Sequence, residues 1–175
     1  HLVPFAEYDL FPSFFHPLSK LNINIDRGNF KAGDNYKIFK FKNFLFSNLI
    51  CYESSIPDVS RKFVEQGAEF LVIQANDGWL KGSYGPNQHF ELARLRAIEN
   101  RVPIIRSANT GISGVINSDG KVQNKIKIDI EKIIMEKVNL AESGSFYTKF
   151  GDIFALFCFL ITSIFTIYSC KERFL

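Results

Sequence analysis

The sequence predicts an α/β layered domain followed by one membrane-spanning helix. Two observations predict the domain: apolar, strand-like runs alternate with helix-forming segments, and polar residues follow those runs directly. A third predicts the membrane helix, because no charged residue occurs from Ile153 to Cys170. The chain has 175 residues, which is enough for one domain with a substantial core.

The first half of the domain predicts two strands and a helix. Residues 39–42 alternate Phe with Lys, which is typical of a strand with one solvated face, and a turn is expected at Lys42–Asn43. Phe44–Ile50 is more apolar and predicts a buried strand. Helix-start chemistry follows around Pro57, and we expect the helix to run to about Gln66, with Gly67 in the left-handed cap position.

The second half continues the alternation. The predicted elements are a buried strand at Phe70–Ala75, a loop at Lys81–Pro86, a helix at about Asn87–Asn100, a short strand at Pro103–Arg106 and a hairpin at Gly114–Val122 that turns at Asp119–Gly120. Strands separated by helices favour parallel pairing in a layered α/β domain.

Two predicted strands end in residues that can carry chemistry. Cys51 follows the second strand, and Asn76–Asp77 follows the third. In α/β sheets, functional residues gather at the carboxyl ends of the strands, so we expect the Cys51 thiol to face a cleft. The alternative for Cys51 is a small buried hydrophobic residue. For Asn76–Asp77 the simplest interpretation is a tight turn after the strand.

Composition argues against several classes of function. The formal charge is +3 and no Lys/Arg stripe with interleaved aromatic residues is present, so nucleic-acid binding is not expected. The three cysteines form no CxxC pair, and the three histidines are scattered. We therefore expect neither a metal site nor a cofactor.

The apolar segment at the end of the chain has the length of a membrane span. As a helix, Ile153–Cys170 would extend about 27 Å at about 1.5 Å per residue, close to the roughly 30 Å hydrocarbon core of a bilayer. The hydroxyls in the segment, at Thr162, Ser163 and Thr166, can bond to backbone carbonyls. Two basic residues follow near the end of the chain and favour a cytoplasmic C-terminus. The alternative is a buried core helix.

Six blocks carry a resemblance to a known family. They are His1-Leu-Val-Pro-Phe-Ala-Glu7, Ile50-Cys-Tyr-Glu53, Asn76-Asp-Gly-Trp79, Gly85-Pro-Asn-Gln-His-Phe90, Ala93-Arg-Leu-Arg-Ala97 and Arg106-Ser-Ala-Asn-Thr-Gly111. In this order they resemble the C-terminal half of the apolipoprotein N-acyltransferases, a family within the nitrilase-like carbon–nitrogen hydrolase superfamily. The chain departs from the family pattern at Ala6, where glycine is usual, and at Gly78 and Leu80, which stand for alanine and phenylalanine.

The resemblance implies a fold and a function. Residues 1–150 would form the C-terminal portion of a catalytic domain, as part of an α-β-β-α layered sandwich. Residues 151–171 would be the membrane helix and 172–175 a cytoplasmic tail. The implied reaction is N-acylation of the S-diacylglyceryl-cysteine of apolipoproteins, with a phospholipid donor and a thioester on the enzyme. A monomer in the bacterial inner membrane is expected, with its catalytic domain on the periplasmic side.

The resemblance also implies roles for individual residues. Cys51 matches the nucleophile, and Glu7 and Glu53 match carboxylates that support the site. Tyr52 matches a residue implicated in activity, and Trp79 matches an aromatic position near the substrate entrance. Taken alone, Glu7 also fits a solvated loop carboxylate and Glu53 fits a helix cap.

An apolar flap is a further expectation. Phe14 and Phe15 lie in a proline-containing segment, Leu10–Leu18, and can dip toward the bilayer to contact lipid substrate, or be ordinary core residues. The arginines at positions 94, 96, 101 and 106 fit structural ion pairs better than ligands for lipid headgroups.

The family also has a catalytic lysine and a general-base glutamate. Both lie upstream of the block that begins at His1, and the chain opens directly in an apolar stretch, so we expect a longer protein. Two alternatives to the acyltransferase stay open: an amidase for a small soluble amide, and an inactive membrane-anchored fragment without that lysine and glutamate.

Overall fold

The structure is a computed structural model that describes residues 1–3, 7, 30–140 and 144–173. Six strands form one sheet in the order β1–β2–β3–β4–β5–β6. They are β1 (Phe39–Phe41), β2 (Phe44–Ile50), β3 (Phe70–Asn76), β4 (Ile104–Asn109), β5 (Ser113–Ile116) and β6 (Val122–Ile126). The helices are α1 (Pro57–Glu65), α2 (Gly85–Asn100), α3 (Phe146–Phe150) and α4 (Ile153–Arg173). Two short 3₁₀ helices, Cys51–Ser55 and Asp77–Leu80, follow β2 and β3.

The central strands are parallel and the outer ones antiparallel. β2 pairs with β3 and β3 with β4 in parallel, while β1, β5 and β6 join in antiparallel fashion. Ile50 lies opposite Gln74, and Asn76 lies opposite Asn109. The carboxyl ends of three neighbouring strands therefore meet at one edge of the sheet, and the predicted alternation of strands and helices is confirmed.

Helices α1 and α2 cover one face of the sheet and form the core with it. Phe63 of α1 and Phe90 of α2 pack against strand residues that are wholly buried. The side chains with at most 1% exposure include Leu49, Val59, Leu71, Ile73, Phe90 and Ile104. Burying each such side chain contributes about 1.5–3 kcal/mol of hydrophobic free energy, so this layer holds the strand ends in place.

The opposite face of the sheet carries aromatic residues that stay partly exposed. The Phe46 and Phe70 rings stack with centroids 5.2 Å apart, and Phe39 stacks on Phe46 at 5.5 Å. Their side chains point away from α1 and α2, because neighbouring strand residues alternate between faces. The described residues thus form one sheet with one helical layer, which agrees with the predicted partial α-β-β-α sandwich.

Most predicted element boundaries hold to within one or two residues, and the larger shifts lie at the end of β4 and in the hairpin, which extends to Ile126. α1 ends at Glu65 with Gly67 at φ +101°, as predicted. α2 begins at Gly85, two residues early, because Pro86 fits the first turn of a helix, where its missing N–H costs nothing. β4 continues to Asn109 because Ala108 and Asn109 pair with the last residues of β3.

The predicted hairpin is formed by β5 and β6. Asp119 and Gly120 lie in its loop, where the Gly120 N–H donates to the Asn117 carbonyl at 2.9 Å. Gly120 adopts φ +81°, and a Cβ there would approach Ile98 to 2.6 Å. The position therefore needs glycine, both because of its positive φ and because Ile98 leaves no room for a Cβ.

Helix α4 is apolar and exposed along its length. Its segment Ile153–Cys170 has a mean hydropathy of 2.2 and none of it is buried, so it does not pack as a core helix of this domain. By length and composition it can cross a membrane. The hydroxyls of Thr162, Ser163 and Thr166 each donate to the carbonyl four residues earlier at 2.8 Å, as predicted.

Candidate active site

Cys51 is the first residue after β2 and opens the 3₁₀ helix Cys51–Ser55. Its backbone lies in the left-handed region, with φ +49°. A residue with a Cβ at such an angle costs on the order of 1–3 kcal/mol, and such strain persists only where the surroundings fix it. The sharp bend turns the chain away from the sheet at the point where the side chain is presented.

The Cys51 thiol faces the end of the neighbouring strand. Its Sγ lies 4.0 Å from the carbonyl oxygen of Asn76, the last residue of β3. The residue is half-buried and touches the margin of the hydrophobic core without lying inside it. Cys51 is therefore a thiol at the carboxyl edge of the sheet, as the sequence predicts, and not a fully buried core residue.

Glu53 stabilises the turn that carries Cys51. Its Oε2 accepts a hydrogen bond from the Ile50 N–H at 2.8 Å, just before the bend. Glu53 thus caps the 3₁₀ helix that holds Cys51, and not the helix α1 that follows it. Tyr52, next in the chain, is 36% exposed.

The structure describes two of the four remaining predicted site residues, Glu7 and Trp79. Glu7 makes a local turn, with its Oε2 accepting from the Val3 N–H at 2.8 Å, and no hydrogen bond among the described residues joins it to Cys51. Trp79 lies in the 3₁₀ helix after β3 and is 88% exposed, beside the same sheet edge as Cys51. Phe14 and Phe15 lie outside the described residues.

A buried polar network lies directly beneath Cys51. The Nδ1 of His89 lies 2.7 Å from Asp77 Oδ1, and the Nη2 of Arg106 donates to Asp77 Oδ2 at 2.7 Å. On the other side of the ring, His89 Nε2 lies 3.1 Å from the Cys51 carbonyl oxygen. The exposures of Asp77, His89 and Arg106 are 2%, 7% and 2%.

The electrostatics of this network are set by the Asp77–Arg106 pair. Burial alone would raise the pKa of Asp77, but the hydrogen bond from His89 and the charge of Arg106 outweigh it and hold the pKa below its usual range. Burial lowers the pKa of Arg106, and the Asp77 carboxylate opposes that shift. Gly111 permits the close fit, because a Cβ there would lie 2.7 Å from Asp77 Cγ.

The sequence prediction missed this network. Asn76–Asp77 does make a tight turn after β3, as expected, but Asp77 also binds two residues that are distant in the chain. One signal was available: Arg106 is a charged residue two positions after the apolar Ile104, so it lies on the same buried face of β4. The ion-pair interpretation of the arginines is confirmed for Arg94–Glu91 at 2.6 Å, Arg96–Glu99 at 2.9 Å and Arg106–Asp77 at 2.7 Å.

A separate cleft lies away from this site. It has a volume of about 800 Å³ and is lined by the end of α2 and by α3, including Arg101, Phe146 and Phe150. Neither Cys51 nor the network beneath it lines this cleft. In the described part of the chain, no cluster of three metal-ligating side chains occurs.

Residues 1–147 match the carbon-nitrogen hydrolase family. The chain belongs to this family. Among the structures of carbon–nitrogen hydrolases, the enzyme from Helicobacter pylori aligns with a TM-score of 0.54 and 20% identity, over 58% of this chain and 43% of that one. A nitrilase-superfamily amidase from Nesterenkonia aligns at 0.50 and 16%, over 60% and 42%. These likenesses establish the nitrilase-like α/β fold.

Three curated relatives of this chain carry the name apolipoprotein N-acyltransferase. Proteins called apolipoprotein N-acyltransferase from Geobacter metallireducens and Pasteurella multocida are each 37% identical, over 90% and 87% of this chain. The one from Borreliella burgdorferi is 34% identical over 93% of it. The chain spans 29–31% of the length of these relatives. The resemblance stated from the six sequence blocks is therefore confirmed.

Proposed function

We propose that this protein N-acylates the S-diacylglyceryl-cysteine of apolipoproteins, with a phospholipid as acyl donor and Cys51 as the nucleophile. The observation that carries the proposal is the presentation of Cys51 at the carboxyl edge of the sheet, in a left-handed turn that directs its thiol toward the end of β3. The names of the curated relatives support the choice of reaction within the carbon–nitrogen hydrolases.

In the first step the Cys51 thiolate attacks the carbonyl carbon of a phospholipid ester. A C–S bond forms, the ester C–O bond breaks, and a lysophospholipid leaves as its alcohol after taking up a proton. Sulfur suits this step because a thiolate is both a strong nucleophile and a good leaving group. The resemblance assigns the proton transfer and the stabilisation of the oxyanion to a glutamate and a lysine of the family.

In the second step the α-amine of the diacylglyceryl-cysteine attacks the thioester. A C–N bond forms, the C–S bond breaks, the nitrogen loses a proton, and the Cys51 thiolate is restored. The product amide is more stable than the thioester, so the transfer runs downhill. No cofactor is needed for either step.

The surrounding residues would supply position and access. Glu53 would fix the turn at Cys51, as its bond to the Ile50 N–H supports. Trp79 fits an apolar wall at the substrate entrance, because it is exposed at the same sheet edge. Glu7 and Tyr52 are assigned to the site by the resemblance, and Phe14 and Phe15 by the apolar flap expected from their own segment.

Both proposed substrates are membrane lipids, which gives α4 a purpose. A helix with an 18-residue apolar segment would hold the domain at the bilayer surface, where acyl chains can reach Cys51. We assign the domain to the periplasmic side of the inner membrane, acting as a monomer, with the end of α4 in the cytoplasm.

Mass spectrometry of the full-length gene product tests the proposal. After incubation with dipalmitoyl phospholipid, the peptide that contains Cys51 should carry a palmitoyl adduct, while the peptides of Cys158 and Cys170 serve as internal controls. Hydrolysis of small amides without any acyl adduct on Cys51 would instead establish an amidase. Neither activity would be the outcome expected of an inactive fragment.

A further inference from the structure

Contacts to the backbone carbonyl of Cys51 hold this residue in place. The Cys51 oxygen lies 3.1 Å from His89 Nε2, and it accepts a hydrogen bond from Ser54 Oγ at 2.8 Å. Ser54 Oγ also lies 2.8 Å from His89 Nε2, so three groups meet at one point below the turn. A left-handed Cys51 is disfavoured on its own, and these contacts fix the direction of its peptide group.

His89 is in turn held from its other side. Its Nδ1 lies 2.7 Å from Asp77 Oδ1, so both ring nitrogens face acceptor oxygens. Arg106 fixes the second oxygen of Asp77 and donates from Nε to the Ile112 carbonyl at 3.1 Å. The ring is therefore held at both nitrogens, with its Nε2 directed at the Cys51 carbonyl.

The composition of this network is unusual for a core. A buried carboxylate–guanidinium pair is a weak source of stability, because the cost of desolvating two charges offsets their attraction. Apolar side chains would fill the same space between α2 and the sheet. The contacts run from Arg106 on β4 to Asp77 in the 3₁₀ helix after β3, then to His89 on α2, and end on Cys51. This arrangement is better explained by the geometry that it imposes on Cys51.

We propose that Asp77, His89 and Arg106 are positioning residues that set the direction of the Cys51 thiol through the contact of His89 with the Cys51 carbonyl. The inference rests on the proposed function of Cys51 as the nucleophile. Arg106 anchors Asp77, Asp77 orients His89, and His89 with Ser54 holds the left-handed turn. None of the three touches substrate.

Two substitutions at one position separate this role from a general role in folding. In His89→Gln the side-chain amide nitrogen takes the place of Nε2 and can still reach the Cys51 carbonyl. In His89→Asn the nitrogen takes the place of Nδ1 and keeps the contact with Asp77 only. We expect His89→Asn to lower the rate constant for acylation of Cys51 at least about tenfold, equal to about 1.4 kcal/mol.

The matched substitution should behave differently. We expect His89→Gln to keep most of the wild-type rate constant for acylation of Cys51. The two variants should have similar melting temperatures, and the KM for phospholipid should stay unchanged in both. The measurement is single-turnover acylation of Cys51 in the full-length gene product, followed by mass spectrometry. Equal rates for the two variants, whether both low or both normal, would overturn the inference.

A second pair of variants covers the case in which neither His89 variant folds. Ser54→Ala removes the other donor to the Cys51 carbonyl and should slow acylation several-fold. Ser60→Ala is its control, since Ser60 is buried and its Oγ has no hydrogen-bond partner among the residues described. Indistinguishable acylation rates in this pair would also overturn the inference. If Cys51→Ala retains activity, the proposed function itself fails instead.

Discussion

Cys51 illustrates what a single sequence can and cannot predict about one residue. The apolar run before it predicts a strand, and the strand end predicts a thiol at the edge of the sheet. The left-handed backbone of Cys51 was not predictable, because it depends on donors from Ser54 and from His89, which lies 38 positions away. A local sequence window contains no sign of that second contact.

Asp77 shows how a residue can satisfy two requirements. As a turn residue after β3 it was predictable from Asn76–Asp77 alone. Its contacts with His89 and Arg106 were not predictable, because they join the turn after β3 to α2 and β4, which only the folded domain brings together.

Removing the Asp77 carboxylate should destabilise the protein at neutral pH. In Asp77→Asn the Arg106 guanidinium loses its buried partner, which costs about 3–5 kcal/mol in the free energy of unfolding. Asp58→Asn, at an exposed pair on α1, should cost less than about 1 kcal/mol. Urea unfolding followed by circular dichroism measures both differences.

The effect of Asp77→Asn on the free energy of unfolding should shrink in acid. The folded-state pKa of Asp77 lies below its unfolded value of about 3.9. The stabilising contribution is therefore fully present above the unfolded pKa and is lost as the pH falls through the folded pKa. The difference in the free energy of unfolding between wild type and Asp77→Asn should therefore become smaller below about pH 4. A gap that widens there, or no gap at neutral pH, contradicts this assignment.

At the scale of elements, strong periodicity made the prediction reliable. β2 coincides with the apolar run Phe44–Ile50. α1 ends two residues before Gly67, the residue that indicated its end. The end of β4 was missed because Ser107, Ala108 and Asn109 are typical of turns, yet ladder pairing with β3 keeps them extended. Tertiary pairing thus overrides local preference at this boundary.

Helix α4 yields a prediction from its two cysteines. Both Cys158 and Cys170 are free and exposed on the helix surface. Only burial in a membrane would therefore make the two thiols differ in reactivity. Cys158 should lie inside the bilayer and resist a water-soluble maleimide. Cys170 should react only after the cytoplasmic side is opened, because α4 would end on that side.

The labelling is read at each peptide by mass spectrometry, in intact and in permeabilised spheroplasts. Full denaturation in detergent serves as the control and should make both thiols reactive. Equal labelling of Cys158 and Cys170 in native membranes would show that α4 does not span. Labelling of Cys170 in intact spheroplasts would reverse the proposed orientation.

At the scale of the whole molecule, the sequence predicted the sheet and its layered class correctly. The polar network beneath Cys51 was missed, because it is assembled from three separate elements. The aromatic face formed by Phe39, Phe46 and Phe70 matches the position of the second sheet in an α-β-β-α sandwich.

The most direct test concerns the transfer of an acyl chain by Cys51. The full-length gene product and its Cys51→Ser variant are incubated with phospholipid and a diacylglyceryl-lipoprotein, and the acyl chains on the lipoprotein N-terminus are counted by mass spectrometry. We expect wild type and a Cys158→Ser control to add a third chain, and Cys51→Ser to add none. A third chain delivered by the Cys51→Ser protein would contradict the account.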